Sequence, residues 1–192
     1  MKKTVLTEKD YNVFYKAMLY RKIDDPIDSA IKAAYRDMCR TIRGFSKNTK
    51  HDEILRNCKE KIYSEIKNIL KYNNMTQEHF DMWHKMTCES LICFSKDILT
   101  YGQAQKWINM TLKYISMFDH KIVESIYEYC HVPIDKYILD ATKYEQFDTA
   151  WSKLNDYNEY FKFQKWFRKK YDGIPLDEEF KMWLEEGRNI IT

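Results

Sequence analysis

Apolar residues recur every three or four positions along most of the chain, and the period-2 alternation of half-buried strands is scarce. Capping and breaking residues fall where that helical periodicity starts and stops. Thr7 is placed to cap a first helix to about Tyr20, and Asp25 followed by Pro26 to open "PIDSAIKAAYRDMCRTIR", which Gly44 closes. A third helix is expected over 51–72, with Ile54, Ile62, Ile66, Ile69 and Leu70 among its apolar positions. Thr76 starts "QEHFDMWHKMTCESLICF", a strongly apolar helix covers 103–118, and Asp135 precedes "KYILDATKY". Ser152 or Asn155 begins a long helix to about Lys170; Pro175 and Asp177 open the last, which Gly187 stops. The expected fold is all-α: one compact domain over 1–192, with two lobes (1–98 and 99–192, not independent) around a cleft.

Composition agrees with a packed chain. Hydrophobic residues make up 44% and include 15 Tyr, 10 Phe and 5 Trp, which excludes a largely disordered protein. No apolar run approaches the roughly 20 residues that span a bilayer, and the N-terminal one is too short for a signal peptide. A cytoplasmic protein with no membrane partner is expected. Cys39, Cys58, Cys88, Cys93 and Cys130 are odd in number and irregular in spacing, as reduced thiols are. His84 and Cys88 could share a helix face, but a zinc site needs further ligands; a buried thiol beside a surface histidine is expected, with no metal and no cofactor.

The net charge is only +3, so local charge says more than the total. Lys32, Arg36, Arg40, Arg43, Lys47 and Lys50 recur every three or four residues, with Gly44 ending the helix after the fourth. "KFQKWFRKKY" adds a second basic cluster mixed with aromatics. Both suit a phosphate backbone, and both also suit a solvated helix face.

Within 103–118, Ala104, Trp107, Ile108, Leu112, Tyr114, Ile115 and Phe118 cover more than half the helix circumference, leaving a narrow polar arc of Lys106, Asn109 and Lys113. A lysine there is either solvated or lines a cleft. Near a helix N-terminus, unpaired N–H groups and partial burial both disfavour an ammonium and so favour the free amine that a Schiff-base nucleophile needs. In "HVPIDKYIL", Pro133 biases Val132 towards extended geometry, and Asp135 is either a helix cap or a carboxylate partner.

Taken together, "GQAQKWINMTLKY" and "VPIDKYIL" resemble the active-site signature of the helix-hairpin-helix DNA glycosylases, most of all the archaeal 8-oxoguanine glycosylases. In that superfamily a hairpin leads into a helix bearing a nucleophilic lysine, and a later hydrophobic-Pro-hydrophobic-Asp segment carries the catalytic aspartate. Lys106 and Asp135 match these positions, 29 residues apart. That spacing is similar to the archaeal branch, with Thr111 to Cys130 as the enlarged segment and Asp119 capping a helix inside it. The resemblance covers residues 99–139. Gly102 is its sole hairpin glycine, and the four-cysteine iron–sulfur loop of some relatives is absent.

The resemblance implies a hairpin element near 90–117 and a monomer that excises a damaged or modified purine, such as 8-oxoguanine, from double-stranded DNA. Lys106 would attack the sugar C1′ and Asp135 would stabilise the oxocarbenium-like transition state, with strand cleavage by β-elimination as a following step. Base contacts would come from Trp107, Trp151, Trp166, His131, Asp156, Tyr157 and Gln164; backbone contacts from Gly102, Gln103, Arg36, Arg40 and Arg43. Core packing or solvation is the alternative for each. Two other functions fit the same residues: a non-catalytic helical nucleic-acid-binding protein of phage or defence origin, and a helical adaptor or inhibitor that binds a protein.

Overall fold

A computed structural model of the chain describes residues 7–21, 25–43 and 51–191. Among these the secondary structure is entirely helical, with eight α-helices: α1 (Glu8–Tyr20), α2 (Pro26–Met38), α3 (His51–Ile69), α4 (Gln77–Phe94), α5 (Tyr101–Phe118), α6 (Lys136–Thr142), α7 (Tyr157–Lys170) and α8 (Pro175–Ile191). No helix among the described residues is long and apolar enough to cross a membrane.

The fold is built around α5. Thr100 and Gln103 close a capping box at its start, and every residue from Tyr101 to Ile115 is buried. Its main neighbour is α2, whose buried Ala30, Ala33 and Ala34 let the two backbones approach closely. Trp107 fills the space between them, its indole N–H donating to Ile31 O at 3.0 Å and its ring resting on Tyr35. On other sides α5 meets α4, and α4 packs in turn on α3, whose buried residues are Ile54, Cys58, Ile62, Ile66 and Ile69.

Several boundaries differ from the periodicity. α2 stops at Met38 and tightens into a 3₁₀ turn over Cys39–Thr41, so Arg40 and Arg43 leave the helical register of Lys32 and Arg36. Gly44, Lys47 and Lys50 lie outside the described residues. α3 ends at Ile69 rather than 72, and α5 begins at Tyr101 rather than 103. Asp119 caps only a 3₁₀ turn, His120–Ile122, and another over Tyr127–Tyr129 completes that segment without the second α-helix expected after the end of α5. Asp156, not Ser152 or Asn155, caps α7; α8 runs through Gly187, since nothing forces a glycine to end a helix whose backbone ladder continues.

Between the second turn and α6 the chain runs extended over 130–135, and two glutamine amides hold it. Gln164 accepts from Val132 N at 3.0 Å and donates to Val132 O at 2.8 Å. Gln105 accepts from Ile134 N at 3.2 Å and donates to Ile134 O at 2.9 Å. Pro133, between them, has no N–H to satisfy. The side chains thus replace the ladder partner that an isolated extended segment lacks.

Candidate functional site

Lys106 and Asp135 meet. Nζ of Lys106 lies 2.5 Å from Oδ2 of Asp135, and the two side chains are only 9% and 14% exposed. The other carboxylate oxygen accepts from Ile138 N at 2.9 Å, capping α6. Capping and pairing are therefore not alternatives: one oxygen serves each. Lys106 is the sixth residue of α5, beyond the first turn in which the macrodipole is felt, so burial and its carboxylate partner govern its surroundings.

Gly102 explains what stands over the lysine. Its N–H donates to Leu154 O at 2.8 Å, and a Cβ at this position would come within 1.8 Å of Trp151 O. The glycine lets the 3₁₀ turn Trp151–Lys153 lie directly against α5, which brings the Trp151 ring to 5.1 Å from Lys106 Nζ. The backbone of Gly102 is consumed in that contact, so it offers no N–H to a phosphate. Gln103 is likewise buried and occupied, its amide donating to Thr41 O at 2.8 Å.

The pair opens on a cavity of about 600 Å³, also lined by Arg36, Arg40, Met110 and Lys113, and by Trp183 of α8. One guanidinium nitrogen of Arg36 donates to Leu19 O. Beside it, a smaller recess of about 370 Å³ is lined by Arg40, Arg43 and Lys153, with no carboxylate in its wall. Arg40 belongs to both. The basic residues of 32–43 therefore do not form one stripe. Lys32 turns to Asp28 at 2.5 Å, while the three arginines border the cavity and its neighbour.

Two turns along the same face of α5 is a second pair. Lys113 contacts Glu179 of α8 at 2.5 Å, with both side chains almost wholly buried, and its ammonium lies 4.5 Å from the Phe180 ring centroid and 5.6 Å from that of Trp183. Burial raises the Glu179 carboxyl above its ordinary range, against the pull of Lys113. Trp183 in turn stacks on Tyr137 of α6, with centroids 3.9 Å apart. The sequence placed Lys113 on the polar arc of α5, but nothing local pointed to Glu179 or Trp183, which reach it from 66 or more residues away.

Several expected base contacts are core or capping residues. Trp107 is fully buried on α2, and Trp166 packs on Tyr144 and Phe163. The Gln164 amide is occupied by Val132, and Asp156 caps α7 through Asn158 N. Tyr157 stacks on Phe161, with the Lys85 ammonium 4.9 Å from its ring. His131 is fully buried, bonded at 2.6 Å to Tyr160 OH and at 2.7 Å to Asp81. His84 is also fully buried rather than at the surface, close to Cys88 and to Tyr160 OH. Burial, first of all, holds both imidazoles well below the ordinary histidine range; His131 adds to it for His84, and Arg168 for both. Among the described residues no cluster of His, Cys, Asp and Glu could hold a metal ion, and the cysteines are free thiols.

No protein-family model, curated protein or solved structure matches the chain.

Proposed function

We propose that this protein is a DNA glycosylase acting on a damaged or modified purine such as 8-oxoguanine, with Lys106 as nucleophile and Asp135 as its partner. The observation that carries the reading is the 2.5 Å Lys106–Asp135 contact in the wall of an open cavity large enough for a nucleobase. The carboxylate is held by its cap on α6, so it stays beside Nζ while the lysine reacts. Asp135 takes a proton from the ammonium and passes it to the departing base, and the restored carboxylate stabilises the positive charge developing on the sugar as the C1′–N bond breaks and the freed amine attacks C1′. The resulting secondary ammonium gives its next proton to Asp135, which delivers it to O4′ as the sugar ring opens, leaving the protonated imine from which β-elimination can follow.

Arg36, Arg40 and Arg43 suit the phosphates on either side of the extruded nucleotide, and Trp151 and Trp183 offer aromatic faces near the pair. The turn joining α4 to α5 would take the place of the hairpin, with Lys96 and Asp97 adopting positive φ in place of glycines.

The test is borohydride trapping on duplex oligonucleotides carrying 8-oxoguanine, with wild type and Lys106→Gln in parallel. A covalent adduct that requires Lys106 is expected. An adduct formed only on abasic DNA and persisting in Lys106→Gln overturns the assignment, and salt-sensitive binding without any adduct points instead to a non-catalytic nucleic-acid-binding protein.

A further inference from the structure

His131 stands four residues before Asp135 on the same extended segment. It takes no part in the chemistry proposed above, yet it is wholly buried with both ring nitrogens engaged. Its partners decide which nitrogen carries the proton. Asp81 Oδ1, 2.7 Å from Nε2, also accepts from Gln77 Nε2 at 2.7 Å and lies 3.8 Å from the Arg168 guanidinium. A carboxylate among such donors only accepts, so Nε2 of His131 is the N–H. Burial holds the imidazole neutral, which leaves Nδ1 with a lone pair that takes the Tyr160 hydroxyl proton at 2.6 Å.

The rest of the chain follows from that assignment. With its proton committed, the Tyr160 oxygen accepts from Asn109 Nδ2 at 3.1 Å and from His84 Nε2 at 3.3 Å. The Asn109 amide also donates to Gln105 Oε1 at 3.1 Å, the same oxygen that accepts from Ile134 N at 3.2 Å. Asn109 Oδ1 is left without a partner, so the amide is oriented for its nitrogen, which both Tyr160 and Gln105 require. Every bond from Asp81 to the peptide before Asp135 therefore runs in one direction, set from the Asp81 end. Turning any member round would bring two hydrogens or two lone pairs face to face in a buried site.

We propose that Asp81, His131 and Tyr160 are positioning residues for Asp135: they impose the one hydrogen-bond direction in which the Gln105 amide grips Ile134 and so holds the next residue's carboxylate against Lys106. The inference rests on the reading of Lys106 and Asp135 as the catalytic pair. Both members of that pair are then referred to a single helix. Lys106 belongs to α5 directly, and Asp135 is tied to it through Gln105 and Asn109, neighbours of the lysine on that helix. The cap on α6 fixes one carboxylate oxygen, while the segment before it decides where the residue stands. A displacement of about 1 Å between reacting groups is enough to slow a reaction by up to about 10²-fold.

Nitrogen NMR of the imidazoles reads the direction of the chain, and single-turnover borohydride trapping on 8-oxoguanine duplex reads its effect. Wild type should carry the proton on Nε2 of both His131 and His84. Asp81→Asn, whose amide can donate to Nε2 as well as accept from it, should give mixed tautomers, and Tyr160→Phe should break the chain. Both should slow trapping about tenfold while DNA affinity stays within about twofold, because the carboxylate moves and the binding surface does not. His131→Gln, a neutral side chain that can both donate and accept, should keep more of the rate than His131→Leu. Phe167→Leu, a core change on α7 outside the chain, is the control for lost stability and should keep the wild-type rate. Amide hydrogen exchange at Ile134 should quicken about tenfold in Asp81→Asn and Tyr160→Phe, a readout that needs no activity. A His131 proton on Nδ1 in wild type, or a rate that falls only in step with melting temperature across all variants, overturns the inference and leaves the glycosylase reading standing. Quickened Ile134 exchange in the variants without any Lys106 adduct in wild type does the reverse. Unchanged exchange with no adduct overturns both.

Discussion

Asp135 does two jobs with one carboxylate, and substitutions separate them. Asparagine caps a helix about as well as aspartate, so Asp135→Asn keeps the bond to Ile138 N and removes only the charge facing Lys106. Activity should fall by roughly 10²–10⁴-fold with little change in melting temperature. Asp135→Ala should lose the same activity and a further ~1 kcal/mol of stability as the cap goes. Equal melting curves for the two variants would show that the cap contributes nothing. Gly102 is the other residue on which the site depends. Gly102→Ala drives a methyl into Trp151 O and should cost about 1–3 kcal/mol, measured by chemical denaturation, while shifting Trp151 off the lysine. That cost has no counterpart in the sequence pattern, where Gly102 reads as a hairpin glycine.

The elements that matter most to the site are those without regular structure. The extended segment 130–135 delivers Asp135 because Gln105 and Gln164 satisfy its backbone from α5 and α7. Gln164→Leu keeps the volume but leaves Val132 N–H buried and unpaired. It should destabilise the fold by about 1–3 kcal/mol and lower activity as well, because Asp135 lies three residues further along. Stability loss with activity intact would show that α6 alone positions the carboxylate. The helices were legible from the 3.6 period and their caps: Thr7, Asp25, Thr76 and Asp135 all accept the backbone bonds expected of them. The buried role of Gln164 was not legible, because a glutamine on an amphipathic helix has the same local pattern whether it meets water or another backbone.

At the scale of the molecule, the interior is polar where it holds the site together. His84, His131, Tyr160, Asn109 and Gln105 form a connected buried network, joined at its edge by Asp81 and Arg168. Both imidazoles are held neutral in the fold and titrate near the ordinary histidine value once unfolded. Below that value the unfolded chain binds the extra protons, so stability falls as pH falls, by up to about 1.4 kcal/mol per pH unit for each histidine. Glu179 acts in the opposite sense, since its raised folded value means that the native state takes its proton first. Two imidazoles outweigh one carboxyl. Thermal melts from pH 7 down to pH 5 should therefore show a steady drop in midpoint, and a flat profile would mean that the histidines already carry charge in the native state.

The sequence by itself determined the all-helical class, most helix starts and the burial of the broad apolar face of α5, because each is encoded in residues three or four apart on a single helix. It also singled out Lys106 and Asp135 as a candidate pair, and the fold brings the two side chains together. Tertiary structure alone decided that the polar arc of α5 is buried, its two lysines in ion pairs and Asn109 in hydrogen bonds, that Glu179 and Trp183 join Lys113, and that Trp107, His131 and Gln164 serve the interior. Those outcomes depend on which surfaces meet after folding, and contacts between residues 29 to 76 positions apart leave no periodic trace in the chain.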